Sequence, residues 1–321
     1  MTRFNQFPAL LLLVASFAAQ AQDYPSKPIR VVVPFAPGGS TDVVMRIVAP
    51  VLSKTLGQPV VIENKAGNAG VTGTSEVLRA APDGYTLAVT TLSTIAASPA
   101  INPKPPYTPS DLTPIVNLAS SAMLIAVNPK FPAKDYASFI RELKRNPSKY
   151  SYASSGMGGS SHLQTEQFKS LAGVFITHIP YRGGGPALVD TASGQVDIVM
   201  DAVPSALPFI KSGQLRPMVV ASPKRLPIAP EAPTFDEVGL PEMNQRLYYG
   251  LVGPKGMSPE VIGKINAAVR LALEDANVRL RLDEQGAVPE GGTPEQFGAA
   301  IQRSYSQLRK VVVDQKLTLG D

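Results

Sequence analysis

Ser154, Ser155, Ser160, Ser161 and His162 crowd into one stretch, with Asp201 further on, and together these residue types could do nucleophilic chemistry. A serine hydrolase needs a nucleophile, a base that takes its proton and an acid that orients the base. The Gly-x-Ser-x-Gly elbow that presents such a serine is absent from the sequence. Serines beside a histidine at the start of a helical pattern also act as turn residues and caps. A secreted serine-dependent hydrolase or transferase acting on a small acid is therefore kept as the alternative, and a non-catalytic role leads.

A second stretch offers different chemistry. Pro34-Phe35-Ala36-Pro37-Gly38-Gly39-Ser40-Thr41-Asp42 follows the β-branched run Ile29-Arg30-Val31-Val32-Val33 and precedes apolar residues at helical spacing from Val43 to Ala49. Strand, glycine turn and helix start in that order leave backbone N–H groups unpaired at the helix terminus. Gly38 and Gly39 let the chain turn tightly and approach a bound group. Ser40, Thr41 or Asp42 can cap the helix. The place suits an anion, and a carboxylate is the simplest candidate. An acid in the first helical turn is favourable in itself, so Asp42 is expected to cap the helix or to meet an amino group.

Other chemistries find little support. The chain has no cysteine, and its histidines, His162 and His178, lack ligand-like spacing, so no metal and no cofactor are expected. Phosphate-loop and dinucleotide fingerprints are missing. Arg182 could grip a carboxylate in bidentate fashion, and Tyr248 and Tyr249 could cover a ligand or serve as core aromatics. The 30 basic residues against 25 acidic ones give a net charge of +5. That modest positive field favours anionic small molecules, and no basic stripe interleaved with aromatics points to nucleic acid.

These stretches must be held by a scaffold, and the 321 residues suffice for two domains. An apolar share of 44% with 17% charged residues describes a globular chain. Arg3, the apolar run from Phe7 to Phe17 and Ala19-Gln20-Ala21 have the layout of a secretory signal over residues 1–21. Beyond it, strands are expected at 29–33, 59–63 and 85–89 with helices between, which is the signature of a parallel α/β sheet. Pro50 should kink or end the first helix. The polar turn 90–94, proline-rich 99–110 and strand-like 112–118 and 123–128 come next, followed by a helix over 136–146. Tyr150 to Ala153 then repeats the opening order of strand, small-residue turn and helix start. Strands at 175–180, 196–200 and 216–221 surround a short helix at 186–193, and residues 222–246 read as irregular. A return strand at 248–252 and two closing helices, 259–276 and 294–313, finish the chain. The expected division is 22–123 together with 247–321 as domain I and 124–246 as an inserted domain II, joined by two crossings that favour hinge bending.

Taken in order, several motifs resemble one family. They are Pro34 to Asp42, Val61-Ile62-Glu63-Asn64-Lys65-Ala66-Gly67, Pro82-Asp83-Gly84-Tyr85-Thr86, and Ser154-Ser155-Gly156 with Gly159 and His162-Leu163. Pro180-Tyr181-Arg182-Gly183, Gly194-Gln195-Val196-Asp197, Pro233-Thr234-Phe235 and Glu237 with Gly239 complete the set. The chain resembles the extracytoplasmic solute-binding proteins of tripartite tricarboxylate transporters, or Bug-type receptors, over the whole mature length. The resemblance implies an α/β two-domain periplasmic-binding-protein fold of type II, a Venus flytrap with a hinge between domains. It implies a monomeric periplasmic receptor without enzymatic activity, whose partners are a small carboxylate (a di- or tricarboxylate, an acidic amino acid or an aromatic acid) and either membrane transporter subunits or a sensor. One ligand carboxylate would be held, partly through ordered waters, by the first turn at Phe35, Ala36, Gly38, Gly39, Ser40, Thr41 and Asp42. The second turn would supply Ser154, Ser155, Gly158, Gly159, Ser160 and His162, with Thr91, Ser93, Tyr181 and Asp201 as wall residues. Where relatives often carry a tryptophan near the return strand, this chain has Tyr248 and Tyr249.

Overall fold

A computed structural model of the chain describes residues 24–314 and residue 318, so the expected secretory signal at 1–21 lies outside the described residues. Apolar β-branched runs make the first strands, β1 (Ile29–Val33), β2 (Val60–Asn64) and β3 (Thr86–Thr91). β1 pairs in parallel with both neighbours, and the helices α1 (Ser40–Leu56) and α2 (Val71–Leu78) make the crossovers. Parallel strands covered on both faces are uniformly apolar, which is why Val31, Val32 and Val33 are all buried. α1 runs straight through Pro50 to Leu56 and ends at Gly57. Pro50 and Arg46 one turn before it are both exposed, so the carbonyl that loses its N–H partner can meet water.

The stretch 90–94 divides where a simple turn was expected. β3 continues to Thr91, and a π-helical turn over Ser93–Ala97 leads into α3 (Ser98–Ile101). Thr94 Oγ1 accepts the Thr91 N–H at 3.0 Å and pairs with Thr90 Oγ1 at 2.9 Å, which fixes this wide turn. β4 (Leu112–Ser121) then enters the same sheet, and Ala122 alone separates it from β5 (Met123–Val127), which belongs to a second sheet.

The second sheet is built from β5, β6 (Ser151–Ser154), β7 (Thr177–Pro180), β8 (Ile198–Ala202) and β9 (Arg216–Val220), in the order β7-β6-β8-β5-β9. Its helices are α4 (Tyr136–Arg145), α5 (Ser160–Ala172), α6 (Gly184–Ser193) and α7 (Val203–Lys211). Pro204 and Pro208 obscure α7 in the sequence, although a proline in a first helical turn costs little. Residues 222–246 are irregular apart from a 3-10 turn at Pro241–Met243, yet they are anchored: Phe235 is fully buried and packs on Phe168 with ring centroids 6.2 Å apart.

The chain returns to the first sheet with β10 (Leu247–Pro254), antiparallel to both β3 and β4. α8 (Pro259–Glu274), α9 (Ala276–Glu284), β11 (Ala287–Gly291) and α10 (Pro294–Asp314) complete it, giving the order β11-β4-β10-β3-β1-β2. α9 and β11 were not expected. β11 buries one residue of five and contains Pro289, which an edge strand tolerates, so it carries no alternating signal.

Candidate functional site

The first turn is assembled around one carboxylate. Gly38 takes a left-handed conformation at φ +81°, and Gly39, extended at φ −74° and ψ 162°, starts α1 without any side-chain cap. Asp42 reaches back so that Oδ2 accepts the Gly38 N–H at 3.1 Å, while Oδ1 accepts Arg46 Nε at 2.9 Å and Asn64 Nδ2 at 3.0 Å. Burial opposes ionisation of Asp42, but the bonds from Arg46, Gly38 and Asn64 prevail and hold its carboxyl below the usual range. The N–H groups of Gly39, Ser40 and Thr41 have no hydrogen-bond partner among the described residues, and all three residues face the cleft between the two sheets.

The second turn repeats that geometry with other groups. Gly158 is left-handed at φ +75°, Gly159 is extended at φ −77° and ψ 172°, and the Gly158 N–H donates to His162 Nδ1 at 3.1 Å. Ser154 Oγ accepts the Gly156 N–H at 3.2 Å and lies 2.6 Å from His178 Nε2. The His162 and His178 rings stack at 4.1 Å, and Tyr152 covers His178 at 4.8 Å. Burial, followed by the neighbouring His162, pushes His178 down to about 4, and burial lowers His162 as well. Both imidazoles are therefore neutral at pH 7.

The lobes touch across the cleft. The Ser160 N–H donates to Ser93 Oγ at 2.8 Å, the two hydroxyls are also 2.8 Å apart, and the Ala36 N–H donates to the Arg182 carbonyl at 3.2 Å. Glycines of the second lobe meet main chain of the first: a Cβ at Gly156 would lie 2.9 Å from Ala69 N, and one at Gly185 2.6 Å from the Pro37 carbonyl. The cavity between the lobes, partly open to solvent, has room of about 30 Å³, on the order of a water molecule or two.

Of the expected residues, Phe35, Gly39, Ser40, Thr41, Thr91, Ser93, Ser155, Ser160 and Asp201 line this cavity. Ala36, Gly38, Gly158 and Gly159 shape the turns behind it. Asp42, Ser154 and His162 are held within their own lobes by the bonds described above, because each supports the turn that carries it. Tyr181 donates from its hydroxyl to Asp190 Oδ2 at 2.8 Å, which fixes it to α6 instead of the wall. The walls also include Met123, Ser161, Gly184, Leu247 and Tyr249. Gly184 begins a third helix that follows a strand through a glycine turn, so the pattern used for the first two turns would have found it.

The nucleophilic constellation does not assemble. The serine paired with a histidine is Ser154, which is fully buried and lies outside the cavity, and its partner is His178. Asp201 Oδ1 instead accepts Ser205 Oγ and the Ala202 N–H, both at 2.7 Å. Among the described residues no helix is long and apolar enough to cross a membrane, and no group of three or more His, Cys, Asp or Glu side chains could hold a metal ion.

Comparison with known proteins agrees with this architecture. Residues 44–317 match TctC, the tripartite tricarboxylate transporter family receptor. Protein BugT of Bordetella pertussis is 36% identical over 316 residues, covering 97% of each chain. A solved periplasmic transporter superposes with a TM-score of 0.91 at 48% identity, over 92% of this chain and 100% of its own. MatC from Rhodopseudomonas palustris with bound malate gives 0.86 at 36% identity, over 90% of this chain and 100% of its own. With its two mixed α/β lobes, the chain is a periplasmic solute-binding protein and belongs to the TctC family of tripartite tricarboxylate transporter receptors.

Proposed function

We propose that this receptor captures a small organic carboxylate between its lobes and closes over it. One observation carries the reading: the unpaired N–H groups of Gly39, Ser40 and Thr41 at the start of α1, set at a cavity with no lysine or arginine in its walls. Oriented backbone donors at a helix terminus bind an anion without a counter-charge. Expelling water on closure strengthens each of those contacts. The malate in MatC is a ligand of the same chemistry.

In this reading residues 22–123 with 247–321 form one lobe and 124–246 the other, and the first lobe receives the carboxylate. Ser155 and Ser160 approach from the second lobe as it closes. The chain acts as a monomer, exported by its first 21 residues, and presents the closed form to transporter subunits or to a sensor. It does no chemistry on the ligand, since the serines of the cleft lack an adjacent base.

Differential scanning fluorimetry against a panel of carboxylates tests this directly, because a ligand that binds only the folded state raises the melting temperature. At least one acid should raise it in a saturable way, and the same acid should be recovered unchanged after incubation. A panel without any shift, or turnover that Ser155→Ala or Ser160→Ala abolishes, would reject the receptor in favour of the enzyme.

A further inference from the structure

Two glycine N–H groups of the second turn come to rest on histidine. The Gly158 N–H donates to His162 Nδ1 at 3.1 Å, so that nitrogen carries a lone pair and no proton. Ser154 Oγ accepts the Gly156 N–H at 3.2 Å, which leaves its own hydroxyl proton for His178 Nε2 at 2.6 Å. The two rings lie face to face, 4.1 Å apart and 19° from parallel. The charges that act on them are Glu166 and Lys169, both on α5, and these pair with each other at 2.8 Å. β6 adds Tyr152, whose hydroxyl donates to Glu166 Oε1 at 2.6 Å. β8 adds the uncharged Met200, in contact with Thr165 Oγ1, and Asp201, which is taken up by Ser205 and Ala202. The π-helical turn presents the uncharged Ser93, and the 3-10 turn at Pro241–Met243 keeps Glu242 exposed.

Both contacts need the imidazoles neutral. A proton on His162 Nδ1 sets one N–H against another and drives Gly158 away. A proton on His178 Nε2 turns the Ser154 hydroxyl out of its bond, and a second cation then faces the first at stacking distance. Any such shift reaches the opposite lobe, because the turn has no slack where it meets it. A Cβ at Gly156 would lie 2.9 Å from Ala69 N, and one at Gly159 3.3 Å from Ser93 Oγ. Ser160, the next residue, carries the N–H that donates to Ser93 Oγ at 2.8 Å.

We infer that neutral His162 and His178 are positioning residues for lobe closure: acid protonates them, the second turn shifts, and the cleft releases what it holds. The release step rests on the receptor reading, whereas the movement of the turn stands without it.

Amide hydrogen exchange of the full chain tests the turn without any ligand. It is followed by NMR from pH 7 down to about pH 4, the level to which His178 is pushed, and corrected for the intrinsic pH dependence of exchange. Protection at Gly156, Gly158 and Ser160 should fall about tenfold or more over that range, while Gly38, held by Asp42, keeps its own. His162→Asn puts an amide oxygen where Nδ1 stood, an acceptor that does not titrate, and Gly158 should then stay protected in acid. His178→Gln, the matching change at Nε2, should keep Gly156 protected, and it serves if the first variant does not fold. Isothermal titration with malate adds the release step. Each chain is compared with its own affinity at pH 7, so the protonation of malate is common to both. The parent should lose about tenfold more affinity in acid than His162→Asn. Protection that falls equally in the parent and the variants, or at Gly38 together with the second turn, overturns the assignment and leaves the receptor reading intact. The expected exchange with equal losses of malate affinity in both chains rejects the coupling to the cleft. A carboxylate panel without any melting shift removes the receptor reading and the release step together, but not the movement of the turn.

Discussion

At Gly38 and at Gly158 the chain takes the same left-handed step into an extended glycine and then a helix, and in both the glycine N–H is received by the side chain four residues on. The acceptor is an ionised carboxylate in the first turn and a neutral imidazole in the second. Asp42 is braced by Arg46 and Asn64, whereas His162 is braced by the stacked ring of His178. The free ends differ too. α1 leaves its first N–H groups open to the cleft, but α5 gives the Ser160 N–H to Ser93 of the opposite lobe. In the receptor reading proposed above, similar backbone geometry serves two purposes, an anion seat on one side and a latch on the other.

The widest gap between the two turns should open when closure is blocked. Gly185→Ala places a Cβ against the Pro37 carbonyl, and Gly185 is not in the left-handed region. Ligand affinity is expected to fall by about a hundredfold, as the anion seat survives but the second lobe no longer reaches it. Small-angle scattering with ligand present should show no compaction. Undiminished affinity in this variant would mean that the first turn binds alone.

Acid should separate the turns by their chemistry. His162 and His178 are bases whose folded values lie below the ordinary 6.5, so the stability they contribute is full above that pH and is lost as the pH falls below it, for His178 towards about 4. Asp42 is an acid with a lowered value, so its contribution persists until the pH drops below the ordinary 3.8. The backbone NMR signal of Gly158 should move first on acidification, and that of Gly38 only later. Simultaneous movement would deny that the two acceptors act independently.

The smallest effect belongs to the latch. Ser93→Ala removes the acceptor of the Ser160 N–H and should cost about 0.5–1.5 kcal/mol of closed state, read as an affinity loss of about two- to tenfold. A variant that binds as tightly as the parent would reassign Ser93 to packing.

The turns were legible in the sequence because glycine, helix spacing and β-branched runs are local signals, and the strands that carry them lie close to where periodicity placed them. What each side chain of a turn does was not. Asp42 and His162 look like ligand residues by position, yet both point back to hold Gly38 and Gly158, and only tertiary structure decides between the two directions. The pairing of His178 with Ser154 joins residues 24 positions apart across adjacent parallel strands, which no spacing reveals. β11 escaped because its partner, β4, supplies the pairing that its own five residues do not advertise.

Ala122, the lone residue between the last stretch of one sheet and the first stretch of the other, has a mechanical consequence. Its neighbours are Ser121, tied to Tyr249, and Met123, a wall of the cavity, so the floor sits almost on the axis of any rotation about that link. Points near a pivot travel little while the rim sweeps wide. In the receptor reading, an incoming molecule lands on a floor already in its final place, and what swings shut behind it is the rim.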